Sequence, residues 1–345
     1  MTRNSLLLSI AFAWAFAYLV VQHTLPVATF YGEWTAALMF ALLACQLVFA
    51  AWVMRVAPAQ NFVVTPKVWL FPQALIIPTA LAAVLALQAV LGVGEQFWIG
   101  HIALLYAVAG MAVVCLAGYL RQLLGFPTLL LTLAWSGLAV GLIGSAIEIL
   151  QAFKLEPKLF TLISQTGYDA PRRLYGNLNQ PNHQATMVSM GLGALVYLYC
   201  TTSHCSLFIS QKNQLVAEIS EETASVSDPI STSAFRFYWL TALYIVCVPV
   251  LLIGMALTGS RTAWVHLSLA LLMGLALTFR TVSYNAQQAD TATRLSHKWV
   301  RVGLLLALPV AYWLVHALLG WASEQWQLGL FNTLSKFKES AQTGA

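Results

Sequence analysis

Long apolar runs recur along this chain, and they limit its possible folds more than any other feature. Residues 35–54 and 302–320, for example, each have about the 20 residues that a helix needs to cross a bilayer. Hydrophobic residues make up 59% of the 345 residues and charged residues only 8%, with a mean hydropathy of +0.75. So few charges cannot coat a soluble globule, and in lipid the backbone must satisfy its own hydrogen bonds. The sequence therefore predicts an all-α, polytopic integral membrane protein.

Nine membrane-spanning helices are predicted, at residues 6–21, 35–54, 72–91, 99–120, 128–153, 184–200, 238–258, 263–279 and 302–320. The first has the basic start and apolar core of a signal peptide, but eight further spans follow, so we interpret it as an uncleaved helix. Lysine and arginine in short loops favour the cytoplasm. A cytoplasmic N-terminus places ten of the 17 there and leaves the early outer loops, 23–34 and 92–98, without any.

This topology predicts one multi-pass transmembrane domain over residues 1–320. Within it, residues 154–183 form a polar loop on the outer, periplasmic side, and the Ser/Thr-rich residues 201–235 form a flexible cytoplasmic linker. Residues 321–345 begin a periplasmic segment. There Leu330, Leu334 and Phe337 share one helical stripe, which predicts a short helix on the outer leaflet.

The charge and cysteine patterns exclude several classes of function. The net charge of +5 does not indicate a nucleic-acid partner, because the basic residues are scattered among short loops. The five cysteines lack the spacing of a zinc site, and no acidic or histidine-rich cluster predicts a metal. The sequence therefore predicts neither a metal nor a cofactor.

The polar segment PRRLYGNLNQPNHQA, residues 171–185, is the best candidate for chemistry. It interrupts two apolar runs and concentrates arginine, amide and imidazole groups on the predicted outer side. Arginine offers a planar fork that matches phosphate oxygens, and amides can hold sugar hydroxyls or a leaving diphosphate. The predicted substrate-binding residues of this segment are Arg172, Arg173, Asn177, Gln180 and Asn182.

Arg261 lies on the same predicted side, in a very short connection where Gly259 makes the turn and Ser260 caps the next helix. A cation at a helix N-terminus is unfavourable and calls for a nearby negative group. Glu148, near the outer end of the fifth span, is one predicted partner of Arg261 or Arg173, and a bound phosphate is the other. We therefore predict that Arg261 is catalytic and that Glu148 contacts substrate.

Two further patterns in the spans are interpreted as packing. Gly137, Gly141 and Ser145 recur at a spacing of four, which lets two helices approach closely. The intramembrane histidines are more often hydrogen-bonded packing residues than proton carriers, and His316 has no acidic neighbour in sequence.

Residues 175–185, YGNLNQPNHQA, resemble the G-x-x-x-Q-P-N-x-x-A segment of the bacterial O-antigen ligase superfamily. That superfamily includes the protein O-oligosaccharyltransferases that glycosylate pilins and the O-antigen polymerases. A Ser260-Arg261 pair that opens a later helix is also similar. The resemblance implies metal-independent transfer of a preassembled glycan from undecaprenyl diphosphate, in the bacterial inner membrane and on its periplasmic face. The implied acceptor is a Ser or Thr hydroxyl of a pilin-like protein, or a sugar of the lipid A core.

Members of that superfamily continue through a large periplasmic loop that carries an essential histidine, so we expect these 345 residues to be an N-terminal portion. This form is expected to bind a lipid-linked glycan weakly and not to transfer it. His183 is the candidate substitute for the missing base. The alternatives are a transporter or flippase of a lipid-linked or anionic solute, and a membrane fragment without activity.

Overall fold

The fold is known from a computed structural model, which describes residues 76–91, a few positions between 104 and 114, residues 126–155, residue 163 and residues 173–330 except 179, 218–228 and 285–290. The described elements are six helices: α1 (Ile76–Leu91), α2 (Phe126–Ala152), α3 (Pro181–Ala217), α4 (Pro229–Leu257), α5 (Thr262–Tyr284) and α6 (Thr291–Gln325). This part of the chain is all-helical, as the sequence predicts.

Four segments of these helices are long and apolar enough to cross a membrane: Leu129–Ala152, Tyr238–Leu257, Thr262–Phe279 and Lys298–Gln325. They coincide with four of the predicted spans, and α3 contains a fifth, 184–200. The structure therefore fits a membrane protein. The predicted spans at 6–21 and 35–54 lie outside the described residues, so the total of nine and the side of the N-terminus stay predictions.

Helix covers most of the segment predicted as a flexible linker. The structure continues α3 through Ala217 and begins α4 at Pro229, which leaves only 218–228 outside the described residues. Residues 207–217 include Leu, Gln, Lys and Ala, and these good helix formers extend an existing helix at little cost. The flexibility of the segment and its cytoplasmic side stay predictions.

The chain divides into two compact units. The unit Leu47–Leu131 contains α1, where the Thr79 hydroxyl donates to Met111 Sδ at 3.4 Å. The other unit contains α2 from Thr132 onward and α3 to α6. All the described candidate residues belong to this second unit.

Close helix contacts in the second unit depend on small residues. A Cβ atom on Gly141 of α2 would lie 2.7 Å from the Gly191 Cα of α3, and a Cβ on Gly254 of α4 would collide with the side chain of Ser145. These contacts confirm that the stripe of Gly137, Gly141 and Ser145 serves packing. Helix α3 also packs against α4 and α5, and α6 packs against the same two helices.

The chain after α6 turns back onto the helix ends. Leu330 packs against the buried cluster of Ala152, Leu174 and Leu257, and its backbone N–H donates to the Ser323 hydroxyl at 3.0 Å. Leu330 therefore covers the ends of α2 and α4. Leu334 and Phe337, the other residues of the predicted outer-leaflet helix, lie outside the described residues.

Candidate functional site

The polar segment reaches α3 through a tight turn at Gly176. This glycine has a φ of +53°, a left-handed conformation that favours glycine. A Cβ atom here would lie 2.5 Å from the side chain of Gln184, so the turn sits directly on that buried amide. Pro181 is the first residue of α3, where its missing N–H costs nothing. The backbone is thus shaped for a turn followed at once by a helix.

Gln151, in the last turn of α2, fixes this turn with a two-point hydrogen bond. Its Nε2 donates to the Gly176 carbonyl at 2.9 Å, and the Gly176 N–H donates back to its Oε1 at 3.0 Å. The side chain is fully buried, and each buried hydrogen bond is worth about 0.5–1.5 kcal/mol. The end of α2 therefore sets the position of the polar segment.

A second turn starts α5 as the sequence predicts. Gly259 has a φ of +58°, and the Ser260 hydroxyl accepts a bond from the Thr262 N–H at 3.3 Å. The Ser260 N–H in turn donates to the Thr258 hydroxyl at 3.1 Å. Ser260 is therefore the N-cap of α5, and the predicted turn and cap are confirmed.

The two turns meet, and hydrogen bonds join them. The Ser260 hydroxyl donates to Asn182 Oδ1 at 2.9 Å, and Arg173 Nη2 donates to the same oxygen at 3.4 Å. Arg173 Nε also donates to the Thr258 carbonyl at 3.3 Å, and the Leu174 N–H bonds the Leu257 carbonyl. We call Arg173, Asn182 and Ser260 the outer cluster. Through it α3 and α5 begin side by side.

This geometry makes the outer cluster electropositive. The N-terminus of a helix carries roughly half a positive charge and unpaired N–H groups, and here two N-termini are adjacent. The side chains of Arg173 and Arg261 are exposed beside them, together with Gln180, Asn182 and His183. Convergent N–H donors and guanidinium groups favour an anion, and phosphate fits them well.

The other predicted site residues have different positions. Asn177 is buried under the turn, and Arg172 lies outside the described residues. Glu148 is fully buried one turn before Gln151, and neither of its carboxyl oxygens has a hydrogen-bond partner in the described part of the chain. Since Arg173 bonds Thr258 and Asn182 instead, the predicted ion pair with Glu148 is not formed there. A substrate contact for Glu148 stays a prediction.

Sequence reasoning missed Gln151 and the acceptor role of Thr258. Both signals were available but weak. Gln151 is a buried amide at the end of an apolar span, where a polar side chain needs a partner. Thr258 precedes the Gly259 turn, where hydroxyl groups often bond local backbone.

Taken together, these features define a helical protein with four segments long and apolar enough to cross a membrane, and with a basic, amide-rich site where two helices begin. Residues 174–199 match a family model, PglL_A, that describes a protein glycosylation ligase. The match starts at the Gly176 turn and follows α3, so it includes Asn182 but not Arg173 or Arg261. It covers a short part of the chain and supports the predicted ligase family to that extent. No curated protein and no solved structure matches the chain.

Proposed function

We propose that this protein takes part in transferring a preassembled glycan from undecaprenyl diphosphate to an acceptor hydroxyl on the periplasmic face of the inner membrane. The acceptor is a Ser or Thr of a pilin-like protein, or a sugar of the lipid A core. The observation that carries the proposal is the outer cluster, in which two helix N-termini and Arg173 converge on Asn182. The protein glycosylation ligase match over the same helix supports it.

In this proposal the outer cluster holds the diphosphate of the donor. The bonds from Arg173 to Thr258 and Asn182 orient its guanidinium, and Arg261 adds a second one at the start of α5. Guanidinium groups match phosphate oxygens in pairs, and the helix N-termini add backbone dipoles. The same groups stabilise the negative charge that grows on the diphosphate as it leaves.

The reaction itself is a displacement at the anomeric carbon. The acceptor oxygen forms a bond to that carbon, the bond to the diphosphate oxygen breaks, and the electron pair leaves with the diphosphate. The hydroxyl proton goes to a base. His183 is the candidate in the described part of the chain, because it is exposed in the first turn of α3 next to Asn182.

The test is to express this protein in a bacterium that makes an undecaprenyl-linked glycan and a candidate pilin. We expect a glycan-dependent mass shift on the pilin, or modified lipid A core. The shift should disappear in Arg173→Ala and persist in Lys154→Gln, a matched loss of an exposed cation at the end of α2. Transport of the lipid-linked glycan without transfer would overturn the proposal in favour of a flippase.

The proposal also requires the outer cluster to face the periplasm. In spheroplasts, an impermeant thiol reagent should label a cysteine introduced at Thr166 and should not label one at Ser225. The reverse pattern would put the outer cluster in the cytoplasm, where no periplasmic acceptor could reach it.

A further inference from the structure

A second group of polar side chains lies inside the helix bundle. Glu148 of α2 and Tyr312 of α6 are fully buried, and His316, one turn after Tyr312, is 4% exposed. The rings of Tyr312 and His316 contact at a centroid distance of 4.7 Å, and Trp264 of α5 stacks on His316 at 5.9 Å. We call Glu148, Tyr312 and His316 the inner cluster. Helix α2 thus supplies a buried acid, and α6 supplies a phenol and an imidazole that pack against Trp264 of α5.

The inner cluster contains polar atoms without hydrogen bonds. Both Glu148 oxygens, the Tyr312 hydroxyl and His316 Nε2 have no partner among the residues that the structure describes. Gln184 of α3 and Tyr312 of α6 lie within electrostatic reach of Glu148, and neither of them is charged at neutral pH. Buried polar groups in proteins nearly always bond protein or water, so such a concentration of exceptions needs a functional reason. Ionisable groups inside a membrane are likewise functional by default.

A small cavity lies beside His316, toward the end of α6. It has a volume of about 10 Å³, room for roughly one water molecule, and His316, Gly320, Ser323 and Leu330 are among the residues that line it. Ser323 lies near the end of α6, on the side of the polar turn. Its hydroxyl and the His316 imidazole are both able to bond a water in this cavity.

We propose that the inner cluster is an internal proton-binding site, in which Glu148 carries a proton that exchanges with the outer aqueous phase through the cavity beside His316. A buried carboxyl beside an amide and a phenol needs a counter-charge, and a bound proton supplies it. On binding, the proton forms one O–H bond to a Glu148 oxygen, and no other bond forms or breaks. Tyr312 and His316 both donate and accept hydrogen bonds, so they can pass the proton on.

The inner cluster also reaches the outer cluster. Gln184, which faces Glu148, supports the Gly176 turn from below, and Gln151 holds that turn from the next turn of α2. The proton on Glu148 is therefore in a position to set the hydrogen bonding of Gln184 under the polar segment. This inference goes beyond glycan transfer and does not depend on it.

Infrared difference spectroscopy of the purified protein in nanodiscs tests the site directly. The wild type minus Glu148→Gln spectrum should contain the C=O stretch of a protonated carboxyl at neutral pH, shifting in D₂O. Glu324→Gln, which alters an exposed acid of the same bundle, should leave that band in place. Glu148→Asp should move the band without removing it, which guards against a folding defect in the Gln variant.

The exchange path has its own test. His316→Phe should slow the D₂O shift of the band by at least an order of magnitude, whereas Trp313→Phe, a change on the exposed face of α6, should not slow it. A wild type without the Glu148 band would overturn the proposal. So would a band that disappears on addition of sodium at constant pH, since the ligand would then be a metal cation. Neither measurement needs a glycan donor or acceptor, so failure here is distinct from failure of the proposed function.

Discussion

The outer and inner clusters are both polar, but they differ in how their hydrogen bonds are satisfied. In the outer cluster one oxygen, Asn182 Oδ1, receives both the Ser260 hydroxyl and Arg173 Nη2. In the inner cluster the Glu148 oxygens and the Tyr312 hydroxyl have no partner in the described residues. The first arrangement holds the exposed Arg173 and Asn182 in a fixed geometry for a ligand, and the second holds buried groups whose hydrogen bonds a proton or water can complete. The two polar sites thus differ in kind: one has its hydrogen bonds satisfied within the protein, and the other leaves hydrogen-bonding groups available for a proton or water.

The largest expected effect is that of substituting Arg261. This substitution tests whether the outer cluster binds a ligand. If the outer cluster binds diphosphate, Arg261→Ala should weaken the binding of undecaprenyl diphosphate by about ten- to a hundredfold, the usual cost of a charge-assisted contact. Arg261→Lys should lose much of the same affinity, because lysine lacks the planar fork. Native mass spectrometry or a lipid-competition assay would measure both.

The matched control for Arg261 is Lys154→Gln, which removes an exposed cation from the end of α2. Binding should stay unchanged in that variant. Equal losses of affinity in all three variants would mean that net charge alone attracts the lipid. The arrangement of the outer cluster would then not determine binding.

Gly176 lies between the two clusters, so its substitution should disturb both. Gly176→Ala places a Cβ 2.5 Å from the Gln184 side chain in a left-handed conformation, and the conformational penalty alone is about 1–2 kcal/mol. We expect a lower Tm in detergent. Gly303→Ala is the matched control, because a Cβ there meets nothing within 4 Å and alanine favours the helix interior. A Tm for Gly176→Ala at or above that of Gly303→Ala would contradict the described turn.

Ser260→Ala should have an intermediate effect, since it removes the N-cap of α5 and the hydrogen bond to Asn182 together. Loss of a serine cap costs about 0.5–2 kcal/mol. Ser268→Ala is a suitable control, because that hydroxyl bonds only its own helix at Trp264 and is exposed. The free energy of unfolding, measured in mixed micelles, should be lower for Ser260→Ala than for Ser268→Ala.

The two clusters also show which features of the structure could be predicted from the sequence and which could not. The Gly259 turn and the Ser260 cap were predictable because turn and cap chemistry is local to a few residues. The inner cluster was not, because it depends on how α2 and α6 are rotated about their axes, which packing decides. His316 has no acidic neighbour in sequence, yet the fold packs it against Tyr312, which lies within electrostatic reach of Glu148. For the same reason the expected ion pair of Glu148 with an arginine was wrong for the described residues, since the side chain faces Gln184 instead.

The smallest expected effect on stability is that of substituting Tyr312. It gives the clearest test of the difference between the two clusters. Tyr312→Phe keeps the ring and its contacts with Trp264 at 4.6 Å and His316 at 4.7 Å, and removes a hydroxyl that has no partner in the described residues. Deleting an unpaired buried polar group removes its desolvation cost and is nearly neutral or stabilising. The free energy of unfolding should therefore stay within about 0.5 kcal/mol of the wild-type value. It should be higher than the free energy of unfolding of Ser260→Ala. Proton exchange at Glu148 should slow in the same variant, because the relay loses a donor. A loss of stability as large as that of Ser260→Ala would mean that the Tyr312 hydroxyl is bonded after all, and that the two clusters are built alike.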